Sequence, residues 1–302
     1  MKNFQSLELF PKKLPIIGKN ARFCRMTSFW KRWFLLLGGL VLLWPQGGAA
    51  VEFNFPLGEY LVYNIYWGKI PVGEARVRTE WAELDGRRLL SVRFRVVTGK
   101  VLSKIYPVND IHECFIDPQT FLPVRYSKQV NEGRYHANEV TDYDHEKGQA
   151  VMQRAGRDSK KVFEIGPDSR DVISFMYFSR ALDFVPGSTS RFEVISDEKL
   201  YELQLDVQKI EDVKIADDSR IRSIRLEPLA KFDGLFVRKG RMWMWISDDD
   251  SRLMTKMQAK VPVASVHLLL AEVRSSGENM IIRIPDAKER EEEEAQDVAL
   301  SQ

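Results

Sequence analysis

The chain is poor in the residues that carry chemistry. Two cysteines, Cys24 and Cys114, and four histidines are spread over 302 residues. No Cys-x-x-Cys occurs, and no spacing among His112, His136, His145 and His267 selects a pair, so zinc has no ligand set in the sequence. Phosphate-loop and dinucleotide glycine patterns are missing. Ser174 lacks the Gly-x-Ser-x-Gly elbow of a hydrolase nucleophile and falls in a helix-like run. Asp248-Asp249-Asp250 has neither the glycine nor the distal glutamate of a calcium loop and reads as an acidic hairpin turn. Neither a cofactor nor a metal is expected. A carboxylate pair of the glycosidase kind stays open, because the fold and not the spacing assembles it.

No apolar run is long enough for a confident membrane helix, which needs about twenty residues. The longest, Phe34–Trp44, follows Lys31 and Arg32 and precedes Gly48-Ala49-Ala50. A short basic region, a short apolar core and small residues form the pattern of a secretory signal. The expected product starts near Val51, works in the periplasm or otherwise outside the cytoplasm, and has no transmembrane span after processing. An uncleaved anchor is the weaker reading. Met26 is the favoured start, with a long basic leader as the alternative. No cysteine stands at the end of the apolar core, so a lipid-modified N-terminus has no attachment point there.

Removing the leader changes the charge. The whole chain has 45 Lys/Arg against 43 Asp/Glu; eight of the bases and one of the acids lie in residues 1–50, which leaves 37 against 42. Phosphate binding needs concentrated positive charge, so nucleic acid is excluded as a partner. Residues 285–302, with the run Glu291–Glu294, read as a solvated acidic tail. With Cys24 gone, Cys114 has no partner for a disulfide and reads as a small buried hydrophobe. Stability must come from burial, and residues 51–284 suffice for one β-rich domain, with two halves meeting near 166–186 as an option.

Period-two patterning dominates that body. Ala75, Val77, Thr79 and Trp81 alternate with Glu74, Arg76, Arg78 and Glu80; Leu90, Val92, Phe94 and Val96 alternate with polar neighbours; Tyr201, Leu203, Leu205 and Val207 do the same. One face on a core and one in water is the habit of antiparallel sheets. Asp85-Gly86, Asp117-Pro118, Glu132-Gly133, Lys147-Gly148, Asp197-Glu198 and Asp248–Asp250 supply the turns. The fold class is all-β: a large antiparallel sheet, curled or barrel-like. A single short buried helix is predicted over Asp171–Leu182, capped by Asp168, Ser169 or Asp171, and a second short turn over Lys100–Tyr106.

Four blocks of sequence, in order, resemble one known family. They are Gly58–Tyr63 with Trp67–Ala75; Tyr106–Asp110 with Asp117; Asp171–Ser174 with Tyr177 and Arg180; and Gly234–Arg241 with Trp245 and Ser247–Asp249. Together they resemble the bacterial exported family catalogued as domain of unknown function 3108, over about Gly58 to Val273. The resemblance implies an exported all-β protein. It implies no activity, so it assigns no catalytic residue. Ala264 stands where the family pattern has glycine, which bears on a tight turn in the last hairpin.

Two constellations are the candidates for binding. Tyr177 and Arg180 sit on the predicted helix, where Arg180 is either the partner of a buried acid such as Glu59 or a ligand contact. Arg238 and Arg241, followed by Trp243, make a cationic and aromatic patch suited to sugar acids, phosphate headgroups or glycan rings. Two function classes follow. The favoured one is a non-enzymatic envelope protein that binds a lipid or glycan or docks an envelope protein. The other is an envelope hydrolase acting on glycan or peptide cross-links. An outer-membrane barrel fits poorly, because the charged strand faces leave no lipid-facing belt.

Overall fold

The computed structural model describes residues 51–196, 198–232, 235–236, 241–260, 265–275 and 279–284. They hold eighteen strands and one α-helix. β1 (Val51–Pro56) pairs only with β18 (Asn279–Ile284), as an antiparallel ribbon. From β2 (Tyr60–Trp67) the chain runs as an antiparallel meander: β3 (Ile70–Leu84), β4 (Arg87–Thr98), β5 (Asn109–Ile116), β6 (Pro123–Glu132), β7 (Tyr135–Asp144), β8 (Gln149–Arg154) and β9 (Lys160–Glu164). After β10 (Arg170–Asp171) and α1 (Val172–Phe178), a second run follows. It comprises β11 (Thr189–Ser196), β12 (Lys199–Lys214), β13 (Arg220–Phe232), the short β14 (Leu235–Phe236) set on β13, β15 (Arg241–Ser247), β16 (Met254–Lys260) and β17 (Ser265–Arg274). β17 pairs back onto β2, which joins the two runs into one sixteen-stranded sheet with β9 and β10 at its edges.

The alternation read from sequence is the alternation of burial. Ala75, Val77 and Thr79 of β3 are buried together with Leu90 and Val92 of β4 and with Cys114 and Ile116 of β5, and their charged neighbours face water. Asp85 and Gly86 both take positive φ, the twist that a two-residue hairpin requires between right-twisted strands. Gly73 answers a different need. A Cβ there would lie 2.3 Å from the Val97 carbonyl oxygen, so only glycine lets β3 and β4 approach this closely.

The sheet curls until its edges face one another. Ala150, Ile165 and Ile195 form a small apolar cluster linking β8 to β11, and Lys161 on β9 ion-pairs with Glu198 beside β12. This seam is closed by side chains, which blunts two edges that would otherwise offer unpaired backbone.

Antiparallel order puts the connections at two ends. Segments 67–70, 99–108 and 132–135 lie at one, here the loop end. Segments 85–86, 117–122, 145–148, 215–219 and 248–253 lie at the other, the turn end. The turn end is plugged. Asp171 caps α1 by accepting a bond from the Ser174 amide, and Phe175 and Phe178 pack on Phe192, with ring centroids 5.0 and 6.2 Å away. Phe55 of β1 fits between Phe121 and Tyr177, at 5.9 and 5.7 Å. The helix is shorter than its composition predicts: α1 ends at Phe178 and the chain tightens into a 3-10 turn over Ser179–Ala181. A second 3-10 turn occupies Leu102–Lys104, inside the turn expected over Lys100–Tyr106.

Candidate functional site

The most heavily bonded polar group of the interior lies where α1 meets the start of β2. Thr79 holds Glu59 in place: the Glu59 amide donates to Thr79 Oγ1 at 3.0 Å, and the Thr79 amide donates back to the Glu59 carbonyl at 3.0 Å. Thr79 Oγ1 in turn donates to the Pro56 carbonyl. The 3-10 turn delivers Arg180 to the same point. Its Nη1 and Nη2 reach Glu59 Oε2 and Oε1, each at 2.9 Å, and its Nε and Nη2 donate to the Ser251 carbonyl at 3.2 and 2.6 Å. Tyr177 OH donates to Glu59 Oε2 at 3.2 Å, with the guanidinium 5.2 Å from its ring. All three side chains are buried.

Electrostatics follows from that packing. Burial and the Glu59 charge push the Tyr177 and Tyr63 hydroxyls well above their ordinary range. Burial opposes the Arg180 charge, but the bonds and field of Glu59 outweigh it and raise its pKa. A carboxylate with both oxygens occupied by a fixed bidentate guanidinium is poorly placed to act as base or nucleophile. The sequence places Glu59 and Arg180 in separate blocks; the fold makes them a strut.

Beside the strut is a cavity of about 40 Å³. Tyr63, Phe94, Met176, Arg180, Met244 and Met254 are among the residues that line it. An engineered cavity of about 150 Å³ is what takes up benzene, so this space is too small for a ligand of that size.

A second buried polar group ties α1 to β5. Cys114 Sγ donates to Asp171 Oδ2 at 2.9 Å, and Asp171 Oδ1 accepts from the Ser174 amide at 2.7 Å and from its hydroxyl at 3.1 Å. Burial first, then the Asp171 charge, lifts the Cys114 thiol well above its usual range, so it is a structural donor and no nucleophile. Ser174 is spent on the cap. His112 lies 2.6 Å from Tyr126 OH, and burial with the Lys128 charge lowers it to about 4, leaving it neutral at neutral pH.

Nearer the loop end, two acids meet. Asp110 and Glu132 are both buried, and Asp110 Oδ1 accepts from the Asn131 amide at 2.7 Å. Burial, the Asp110 charge and a hydrogen bond with Asp110 raise Glu132 to about 7, while Lys128 and the Tyr106 hydroxyl act the other way. Sequence reasoning missed this pair. The turn signal Glu132-Gly133 and the block Tyr106–Asp110 each marked half of it, but only the register of β5 against β6 brings the halves together.

Arg241 opens β15, near the loop end. Its Nε and Nη2 donate to the buried Glu227 at 2.9 and 3.0 Å, and its guanidinium lies 4.7 Å over Trp243. Arg238 lies outside the described residues, as do Ala264 and the tail 285–302. Of the sequence candidates, the structure thus groups Tyr177 with Arg180, and Arg241 with Trp243, in two places near opposite ends. Glu227 had no signal of its own.

These features define a class: an all-β protein with a curled, barrel-like sheet, one end plugged by a helix that is locked by the Glu59–Arg180 ion pair. Within that class the assignment is specific. The family described as protein of unknown function (DUF3108) matches residues 62–271, and the chain belongs to it. A crystal structure of a beta-barrel-like protein of domain of unknown function DUF1849 from Brucella abortus shares the fold. Its TM-score is 0.51 at 10% identity, over 74% of this chain and 99% of that one. No curated protein matches. No helix among the described residues is long and apolar enough to cross a membrane.

Proposed function

We propose that this is an exported protein of the cell envelope that performs no chemistry and acts as an assembly factor, docking a partner on its surface in preference to enclosing a ligand. The size of the cavity beside Arg180 carries the reading. Ligand sites occupy roughly 300–1,000 Å³, whereas the cavity at Arg180 is about 40 Å³. Arg180 and the exposed Arg241 are engaged by the buried Glu59 and Glu227. The leader-like residues 26–50 support export.

Mass spectrometry of the gently purified protein tests the reading. The expected result is the mass of the chain alone, beginning at Val51. A stoichiometric lipid or glycan would replace docking with ligand binding at Arg180 and Tyr177, or at Arg241 and Trp243. An N-terminus at Met1 or Met26 on a membrane-bound product would remove export by cleavage.

One observation favours the second reading, an envelope hydrolase: Glu132, raised to about 7, beside Asp110 is a proton-sharing carboxyl pair of the kind such enzymes use. Turnover of glycan or peptide cross-links, lost in both Asp110→Asn and Glu132→Gln, would establish it. Absence of turnover in the wild type leaves the pair a structural one.

A further inference from the structure

We propose that the loop end of the barrel is a membrane-adhering surface whose partner is an anionic lipid bilayer. The inference goes beyond docking in general, and it would hold even for a protein that carried a ligand inside.

Exposed apolar side chains are concentrated there. Of the ten large hydrophobic residues that stand exposed among the described residues, five sit on the three loop-end connections of the β2–β7 meander. Val101 is 82% exposed, Ile105 80%, Ile70 66%, Tyr135 48% and Trp67 38%. Of the other five, four lie within strands, and Val185, 62% exposed, lies on the connection from α1 to β11 at the turn end. An apolar patch of this kind on a soluble face marks an interaction site.

The tips form one fixed edge. The Gly99 amide donates to the Val72 carbonyl at 2.9 Å, which ties the 99–108 loop to the start of β3. The Gly133 amide donates to the Pro107 carbonyl at 2.8 Å, which ties the β6–β7 turn to the same loop. Gly133 takes a positive φ, and a Cβ there would lie 3.1 Å from the Tyr106 ring, so the turn sits hard against that loop. Val101 and Ile105 flank the 3-10 turn Leu102–Lys104 and are presented on it without covering one another.

Charge selects the partner. Segments 67–70, 99–108 and 132–135 carry Lys69, Lys100, Lys104 and Arg134, all exposed, and a single acid, the buried Glu132. The turn-end segments carry eight acids against two bases. A basic and apolar edge on a chain that is acidic beyond residue 50 is complementary to an anionic headgroup layer, and the acidic end would face away from it. Protein interfaces are depleted in lysine. Lysines alternating with apolar and aromatic tips are instead the arrangement of interfacial membrane binders, where the apolar groups enter the headgroup boundary and the ammonium groups meet the phosphates.

Vesicle flotation tests it, using the chain from Val51, which contains every described element and therefore the whole core. At about 0.1 M salt it is expected to float with vesicles containing roughly 30% phosphatidylglycerol in phosphatidylcholine, and about tenfold less at about 0.5 M. Pure phosphatidylcholine should bind about tenfold more weakly. Val101→Ser with Ile105→Ser, and separately Lys100→Glu with Lys104→Glu, should each lower affinity at least about tenfold with an unchanged Tm. Failure of the wild type to float, equal flotation of both variants, or equal binding to neutral and anionic vesicles overturns the proposal. So does a wild type that stays in solution while the variants lose only the capture of a protein, which would make the edge a protein-docking surface.

Discussion

The two ends of the barrel solve opposite problems. The turn end is sealed: α1 and β1 fill it with Phe55, Phe175, Tyr177 and Phe178, the Glu59–Arg180 strut locks the helix, and acidic turns face water. The loop end leaves Val101, Ile105 and Ile70 in solvent among lysines. Apolar side chains therefore mean stability at one end and contact at the other, and only burial tells which. Buried polar groups divide in the same way. At the turn end an acid meets a base, whereas below the loop end Asp110 meets Glu132 and two like groups must share.

If the turn end is where stability resides, the largest losses belong there. Arg180→Ala leaves Glu59 buried without its cation, and we expect about 3–5 kcal/mol less stability in urea titrations. Replacing both partners by apolar residues of similar size should restore most of it, because the uncompensated charge is the main cost. An Arg180→Ala variant with wild-type stability would break the comparison, and lost binding at unchanged stability would make Arg180 a ligand contact. Thr79→Val should cost about 1–3 kcal/mol, since it removes the acceptor for the Glu59 amide and the donor to Pro56 in a buried corner. A loss below about 0.5 kcal/mol would mean water reaches that corner.

Much of the sealed end was legible in the sequence, and little of the site was. Period-two alternation at Ala75–Trp81 and Leu90–Val96 gave both the strands and their buried faces, because each strand has one wet side. The turn residues Asp85-Gly86 and Lys147-Gly148 fall in turns because positive φ is costly for most other residues. The helix was visible in composition, and of the three candidate caps it is Asp171 that bonds the Ser174 amide. Glu59 and Arg180 lie 121 positions apart, and nothing local couples them. Asp110 and Glu132 share the same obstacle on a smaller scale. Exposure of Val101 and Ile105 was equally hidden, since the sequence marks a short turn over Lys100–Tyr106 but not which way its apolar side chains face.

The acid pair offers a test by pH. Glu132 takes up its proton at about 7 in the folded chain and near 4.5 when unfolded. The folded state binds that proton more tightly, so the contribution is complete below about pH 4.5 and is lost as pH rises through 7. Glu132→Gln keeps the protonated shape without the charge. It should match the wild type near pH 5 and exceed it near pH 8 by about 1–2 kcal/mol, allowing for solvent screening. Thermal melts across that range are the measurement. A constant gap between the two proteins would show that Asp110 and Glu132 do not share a proton.

The smallest expected effect is the sharpest for the contrast between the ends. Ile105→Ser, made at a site four-fifths exposed, removes little buried surface, so stability should move by no more than about 0.5 kcal/mol. Phe175→Ala, a truncation at the sealed end, should cost about 3–5 kcal/mol because the space it leaves beside Phe192 cannot close. Two apolar residues of the same chain would then differ several-fold in what they contribute to folding. A loss above about 1 kcal/mol for Ile105→Ser would mean that the side chain is covered in solution, and the loop end would then belong to the core. With the midpoint unchanged, retention of Ile105→Ser on a hydrophobic column should still fall, because the side chain removed is one the fold holds out to whatever it meets.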